Sequence, residues 1–424
     1  MKPLGLLRIR FFYGWYIVIL GSLINAVGMG MLYYCFTIFY LPLQREFGVS
    51  SAAIALLYGA ARLEGGFEGP LVGHLIDRLG PRTMILIGSC MAGIGLILLS
   101  MVNHYWSFFF IYIFIVTLGA NAGFFHPVTT ALNHWFIGHR GKAFSCIMAS
   151  MSVGGMVIAP FLSYIILHYG WRAGTIAAGT MILIVAIPSA LPIHRSPEEL
   201  GLSPDGVPSP KIHSSIPSPT GSQNVSFDFT VKQALQTASF WLLLTTISLR
   251  LFVTVALHAH FIPLLAWQGM NEASGAYLVS LSAGVSIGAS LVLGWMGDRW
   301  RKSLICSFGV MPAALSLIWL TFSQAAAAQY FFAIALALAW GTAPLNWALI
   351  GDFFGRARYA TLRGIMGVGY GTATFISPVY AGWVFDRTGS YAIVLISFAI
   401  TLFIVISCFL LLTRPAPPGS REKG

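Results

Sequence analysis

Four ionisable side chains stand inside stretches that are otherwise apolar: Arg62, Glu64 and Glu68 in one, Arg250 in another. A charge at mid-bilayer costs roughly 2.5–3.5 kcal/mol, so each needs a partner or a purpose. Glu64 and Glu68 are one helical turn apart, about 40° around the axis. Two carboxylates so close in a low dielectric do not both stay ionised, and a carboxyl that gains and loses one proton is what a proton-linked carrier requires. Arg62 lies roughly 160° around the helix from Glu64 and about 120° from Glu68, so it is expected to reach another helix. Arg250 is followed by Thr254 and His258 at i+4 and i+8, within roughly 80° of one face. A guanidinium there suits a carboxylate, which it can hold by two parallel hydrogen bonds; an internal ion pair with Glu64 or Glu68 is the other reading. His258 could pass protons near neutral pH.

Other chemistries find no support. There is no G-x-x-x-x-G-K-[ST] phosphate loop, so ATP-driven transport is not expected, and no nucleophile–base pair can be assigned. Cys35, Cys90, Cys146, Cys306 and Cys408 lie in apolar stretches without C-x-x-C spacing, which argues against a disulfide framework or a zinc site. An enzyme, a cofactor and a resident metal are therefore not expected.

These charges must be positioned by an unusual chain. Of 424 residues, 57% are hydrophobic and 9% charged, against about 25% charged in soluble domains. That excludes a water-soluble globule and a disordered chain, and leaves an all-α polytopic membrane protein. Twelve stretches suit the roughly 20 apolar residues of a membrane helix: 12–36, 52–75, 83–101, 105–131, 143–167 and 173–192, then 239–266, 273–296, 303–322, 327–350, 362–384 and 390–412. If the amino terminus is cytoplasmic, 19 of the 24 lysines and arginines fall on the cytoplasmic side and three (Arg45, Arg172 and Arg387) on the other. Both termini are then inside, in a multi-pass protein of the plasma membrane, or the inner membrane of a bacterium. Arg8, Arg10 and the carboxy-terminal basic residues read as charges facing the membrane surface, not as a nucleic-acid site. The first apolar run lacks a small-residue cleavage site at Tyr33-Tyr34-Cys35-Phe36 and is expected to be retained. Expected units are a six-helix bundle at 1–193, a proline- and serine-rich cytoplasmic linker at 194–237 and a second six-helix bundle at 238–424.

The halves echo one another. Gly73-His-Leu-Ile-Asp77-Arg78 after the second span matches Gly294-Trp-Met-Gly-Asp298-Arg299 after the eighth, and Phe136 with Pro160 matches Phe354 with Pro378. Repeated bundles around a central site can open alternately to each side. The loop Gly73-x-x-x-Asp77-Arg78-x-Gly80-x-Arg82, with its degraded copy at 294–299, is similar to the signature loop of the major facilitator superfamily. Tyr13-Gly14-Trp15-Tyr16, and the run from Phe39 to Gly48, resemble that superfamily's monocarboxylate porter and oxalate–formate exchanger group. Members of that group place a cation in the eighth span, and the exchangers another in the eleventh; Leu278 to Met296 and Ile365 to Phe385 hold none.

The resemblance implies alternating access, small carboxylate substrates, and a cavity lined by the first, fourth, seventh and tenth helices. On those helices Arg250 would hold the carboxylate, and Asn25, Asn121 and Asn346 would orient it. Tyr33, Tyr34, Tyr370 and Trp347 would shape the pocket, while His126 would line the cavity. Glu64, Glu68 or His258 would carry the proton. Asp77 would cap the next helix, and Arg78, Arg82, Asp298 and Arg299 would gate the half-interface. Gly119, Gly123, Gly154, Gly155, Gly367, Gly369 and Gly371 are expected at close helix contacts. The expected partners are a small-molecule substrate, a proton and the lipid bilayer, with no oligomer required. A cationic or zwitterionic substrate held by the glutamates, or a non-transporting membrane receptor or assembly factor, are the competing readings.

Overall fold

A backbone in hydrocarbon must satisfy its own polar groups, and this chain does so with helices alone. The computed structural model describes residues 12–136, 140–203, 229–355 and 359–415, except for a few side chains, those of Asp77 and Asp298 among them. Among the described residues there is no strand.

The first crossing is Tyr13–Phe47 and the fourth Tyr105–Trp135; each contains wide π-type turns, at Ala26–Cys35 in one and at Tyr112–Thr117 and Asn121–Phe125 in the other. The second is Ser51–Leu79 and the third Pro81–Leu99. One continuous helical assignment, Arg140–Ala190, bends at Gly170, whose φ of 83° and ψ of 166° suit a residue without Cβ, and so supplies the fifth and sixth. The later set is Ala238–Ala259 (extended by Phe261–Trp267), Glu272–Arg299, Lys302–Phe322, Ala326–Gly341 with Ala343–Phe354, Tyr359–Thr388 and Ala392–Leu411. Nine described helices are long and apolar enough to cross a membrane by hydropathy. The bend at Gly170 divides one of them, and polar and charged residues dilute the hydropathy of Ser51–Leu79 and Tyr359–Thr388, which restores the twelve expected crossings.

Small residues set the close approaches. A Cβ on Gly123 in the fourth crossing would stand 2.8 Å from Gly88 Cα in the third, and one on Gly154 would overlap the carbonyl of Ala26. Gly371 in the eleventh crossing meets nothing, and Gly367 only the Tyr370 hydroxyl at 3.4 Å, so the expected close contacts are absent at those two positions. Gly123→Val is therefore expected to cost about 1–3 kcal/mol by overpacking, and Gly371→Ala close to nothing. Thermal unfolding of the two purified variants checks the contrast.

The two sets of six converge at the end far from the termini. Asp386, near the end of the eleventh crossing, accepts from the Ser51 and Ala52 backbone N–H groups at 2.8 and 2.9 Å, capping the second crossing. Thr37 Oγ1 accepts from the Ile262 N–H at 2.9 Å, and Arg45 pairs with Glu272 at 2.5 Å. Cβ atoms on Gly59 and Gly382 would lie 2.7 Å from backbone of the opposing helix, at Phe375 and Ser51–Ala52 respectively. Toward the termini the same helices part: Gly73, Gly288, Gly294, Gly364 and Gly371 all face open space. Among the described residues, the contacts between the two sets of six gather at the end far from Tyr13.

Candidate functional site

The second crossing brings Tyr58, Arg62, Glu64 and Glu68 toward the middle of the protein. Thr117 and Asn121, one turn apart on the fourth crossing, both donate to Glu64 Oε2 at 3.2 Å. Their i, i+4 spacing is why two donors meet one carboxylate oxygen. Glu68 follows Glu64 by one helical turn, which sets the two carboxyls on one face of the second crossing. Glu68 is buried, and neither of its oxygens, nor Glu64 Oε1, accepts a well-directed hydrogen bond from the described protein.

Arg62 leans away from the glutamates, as its position on the helix requires. Its guanidinium carbon lies 3.5 Å from the centre of the Tyr33 ring and 4.6 Å from that of Tyr58, and Nη2 donates to the Tyr58 hydroxyl at 2.5 Å. Tyr58 precedes Arg62 by four residues, so the i, i+4 spacing sets both side chains on one helix face.

Arg250 is placed differently from the expectation. It is 0% exposed. Nη1 donates to the Ala339 carbonyl at 3.2 Å, and with the Asn346 amide oxygen facing the guanidinium, Nε and Nη2 donate to it at 2.9 and 3.1 Å. Ala339 lies just before the break in the tenth crossing between Gly341 and Ala343, where Pro344 removes a backbone donor. The cation thus sits at the carbonyl-rich end of a half-helix, which compensates part of its charge. It makes no ion pair with Glu64 or Glu68. The four intramembrane charges form no ion pair with one another; the described ion pairs are Arg45–Glu272, Arg172–Glu46, His194–Glu199 and Lys302–Asp352.

The face predicted to run from Arg250 does lead to the half-interface. Thr254 Oγ1 donates to the Arg250 carbonyl at 3.0 Å, and His258 Nδ1 lies 2.8 Å from the Thr254 carbonyl. The His258 ring meets Trp340 at 4.7 Å and Tyr34 at 5.9 Å. Tyr34, Ser152 and Ser286 share hydroxyl contacts of 3.0–3.4 Å across the halves.

Other expected residues are dispersed. Asn25 is buried with its amide nitrogen on Ile147 O (2.8 Å) and Ser150 Oγ (3.1 Å), so it ties the first crossing to the fifth, not to the Arg250 group. Asn121 belongs with Glu64, and Asn346 with Arg250. Tyr370 meets Trp347 edge-on at 5.5 Å, below Arg363, whose guanidinium is 4.6 Å from the Trp347 ring. His126 is exposed, within electrostatic reach of Arg363 across the open gap. Arg78 and Arg82 are exposed and make no ion pair with another described residue, and Arg299 is exposed over Trp295 at 3.8 Å. The Asp77 and Asp298 side chains lie outside the described residues.

Residues 18–362 match the profile of the Major Facilitator Superfamily. Monocarboxylate transporter 12-B of Danio rerio is 24% identical over 94% of this chain and 86% of its own length. Monocarboxylate transporter 2 of Homo sapiens is 22% identical over 89% and 81%. The oxalate:formate antiporter of Oxalobacter formigenes is 26% identical over 95% and 91%. Among solved structures, a bacterial homologue of the human lysosomal transporter Spinster, inward-facing and unoccupied, superposes with a TM-score of 0.73 at 15% identity, over 94% of this chain and 97% of that one. That likeness concerns the fold.

Proposed function

Because the chain belongs to the Major Facilitator Superfamily, and is a multi-pass secondary transporter and not an enzyme, we propose that it moves a small organic anion, most simply a monocarboxylate, together with a proton. One observation carries this reading: among the described residues, the two arginines within the spans pair with no carboxylate and the two glutamates with no cation. A fixed structural network recovers its desolvation cost by pairing such charges internally. Charges left unmatched in lipid are expected where the partner arrives from outside: an anion for a guanidinium, a proton for the carboxyl pair. The relatives are named as monocarboxylate transporters and an oxalate:formate antiporter, whose substrates belong to the same chemical class.

In this reading Glu64 and Glu68 share the coupling proton, with Thr117 and Asn121 holding Glu64 in place. His258 stands at the half-interface to relay it. Rocking of the halves about this region, from the state open at the termini to its opposite, completes a cycle. The termini-bearing side is the cytoplasm, the membrane is the plasma membrane or a bacterial inner membrane, and a monomer suffices. The rival, an amine bound by the glutamates, fits less well, because carboxyls that share a proton offer a cation only part of their charge.

A thermal-shift screen at two pH values separates the two. A carboxylate present at 100 times its Kd contributes about 2.7 kcal/mol to stability, and acids are expected to raise Tm more strongly at the lower pH, where the proton is also bound. Stabilisation by amines and not by acids would overturn the proposal.

A further inference from the structure

The two intramembrane arginines differ in what remains of their hydrogen-bonding capacity. Arg250 is sealed, with its three nitrogens committed to the tenth crossing. Arg62 is only half-buried and, among the described residues, spends one of its five N–H groups, on the Tyr58 hydroxyl. We infer that Arg62, not Arg250, is the anchor for the substrate carboxylate, and that Arg250 is a positioning residue that pins the break in the tenth crossing. This rests on the anion reading above and assigns its binding site.

The surroundings of Arg62 fit the role. Tyr33 stacks on its guanidinium face and Tyr58 supports it from one turn earlier, which fixes the plane of the fork while its other N–H groups have no partner among the described residues. A carboxylate can then accept two parallel hydrogen bonds. His258 of the opposite half lies within electrostatic reach of Arg62 and is flanked by Trp340 and Tyr34. A ligand on Arg62 therefore has its head on one half and its tail toward His258 and Trp340 of the other, beside Tyr34 of its own half. Walls of tyrosine and tryptophan with one polar ring nitrogen suit a short acid with an apolar or singly hydroxylated tail, and disfavour a large or multiply charged one.

The division of labour is tested by counterflow of carboxylates of one to four carbons in proteoliposomes, with Tm measured on each purified variant. Arg62→Lys keeps the charge but loses the planar fork and is expected to raise KM about tenfold or more with Tm nearly unchanged. Arg62→Gln is expected to lower kcat/KM more than 100-fold. Arg250→Lys is expected to lower Tm and kcat while leaving KM within about threefold of wild type. The reverse pattern, with KM raised in Arg250→Lys and unchanged in Arg62→Lys, would overturn the assignment while leaving anion transport standing. Should the Arg62→Gln protein not fold, the Arg62→Lys KM decides alone. A wild-type protein that exchanges no carboxylate in the panel would sink the anion reading and this assignment together.

Discussion

Replacing both intramembrane glutamates, Glu64→Gln with Glu68→Gln, is expected to abolish proton-driven accumulation while leaving carboxylate counterflow within about threefold of wild type. Glutamine keeps the length of each side chain, so Thr117 and Asn121, which approach Glu64 Oε2 at 3.2 Å, retain a partner. What disappears is the only place on the second crossing where a proton can be held between two carboxyls. For one proton per anion, a gradient of one pH unit is about 1.36 kcal/mol, which supports roughly tenfold accumulation. In the double variant that ratio should fall to about one, and acidifying the outside should no longer speed uptake. Uptake from an acidified outside solution, compared with counterflow at equal pH, reads both quantities. Accumulation that survives the double substitution would move the proton to His258.

The second large effect concerns the closed end. Gly382→Val would force side-chain atoms into the Ser51–Ala52 backbone, from which even a Cβ would stand only 2.7 Å away. Overpacking there is expected to cost about 1–3 kcal/mol in the closed-end conformation alone, shifting the population toward the opposite state by roughly 5- to 150-fold. Asp386→Asn acts in the same direction but more weakly. It removes the charge from two hydrogen bonds to the Ser51 and Ala52 N–H groups at an exposed helix start, worth about 1 kcal/mol. A cysteine at Thr37, which meets Ile262 across the far interface, reports the shift. Its labelling by a membrane-impermeant maleimide from the far side should accelerate in both variants, and more in Gly382→Val. Unchanged labelling would show that these contacts do not hold that end shut.

The architecture was largely legible in the chain because lipid imposes it. Span length, the lack of alternating apolar pattern and the paired motifs at Gly73 and Gly294 identified helices in two similar sets. Helical angles also placed Glu64 beside Glu68 and turned Arg62 toward another helix, onto Tyr33. What the angles could not give was depth within the bundle. Arg250, Thr254 and His258 do share a face, yet Arg250 is sealed at the break in the tenth crossing while His258 reaches the half-interface. Asn25 illustrates the same limit, since a polar residue on a cavity-lining helix can equally face a neighbouring helix, as this one does toward Ile147 and Ser150. Conformation was invisible as well. The glycines of the eleventh crossing pack tightly at Gly382 and face open space at Gly371, a contrast set by which end is closed and not by residue type.

Among the described residues, two arginines and two glutamates within the spans have no partner of opposite charge, and the proposal is that a solute anion and a proton complete them. The most direct test is to place purified protein in vesicles loaded with a pH-sensitive dye, clamp the membrane potential at zero, and add a short-chain carboxylate outside with no initial pH gradient. Co-transport predicts prompt acidification of the lumen, faster with wild type than with Arg62→Gln or with the Glu64→Gln, Glu68→Gln pair. Carboxylate entry without lumenal acidification beyond that of protein-free vesicles, or acidification that the arginine and glutamate substitutions leave unchanged, would contradict it.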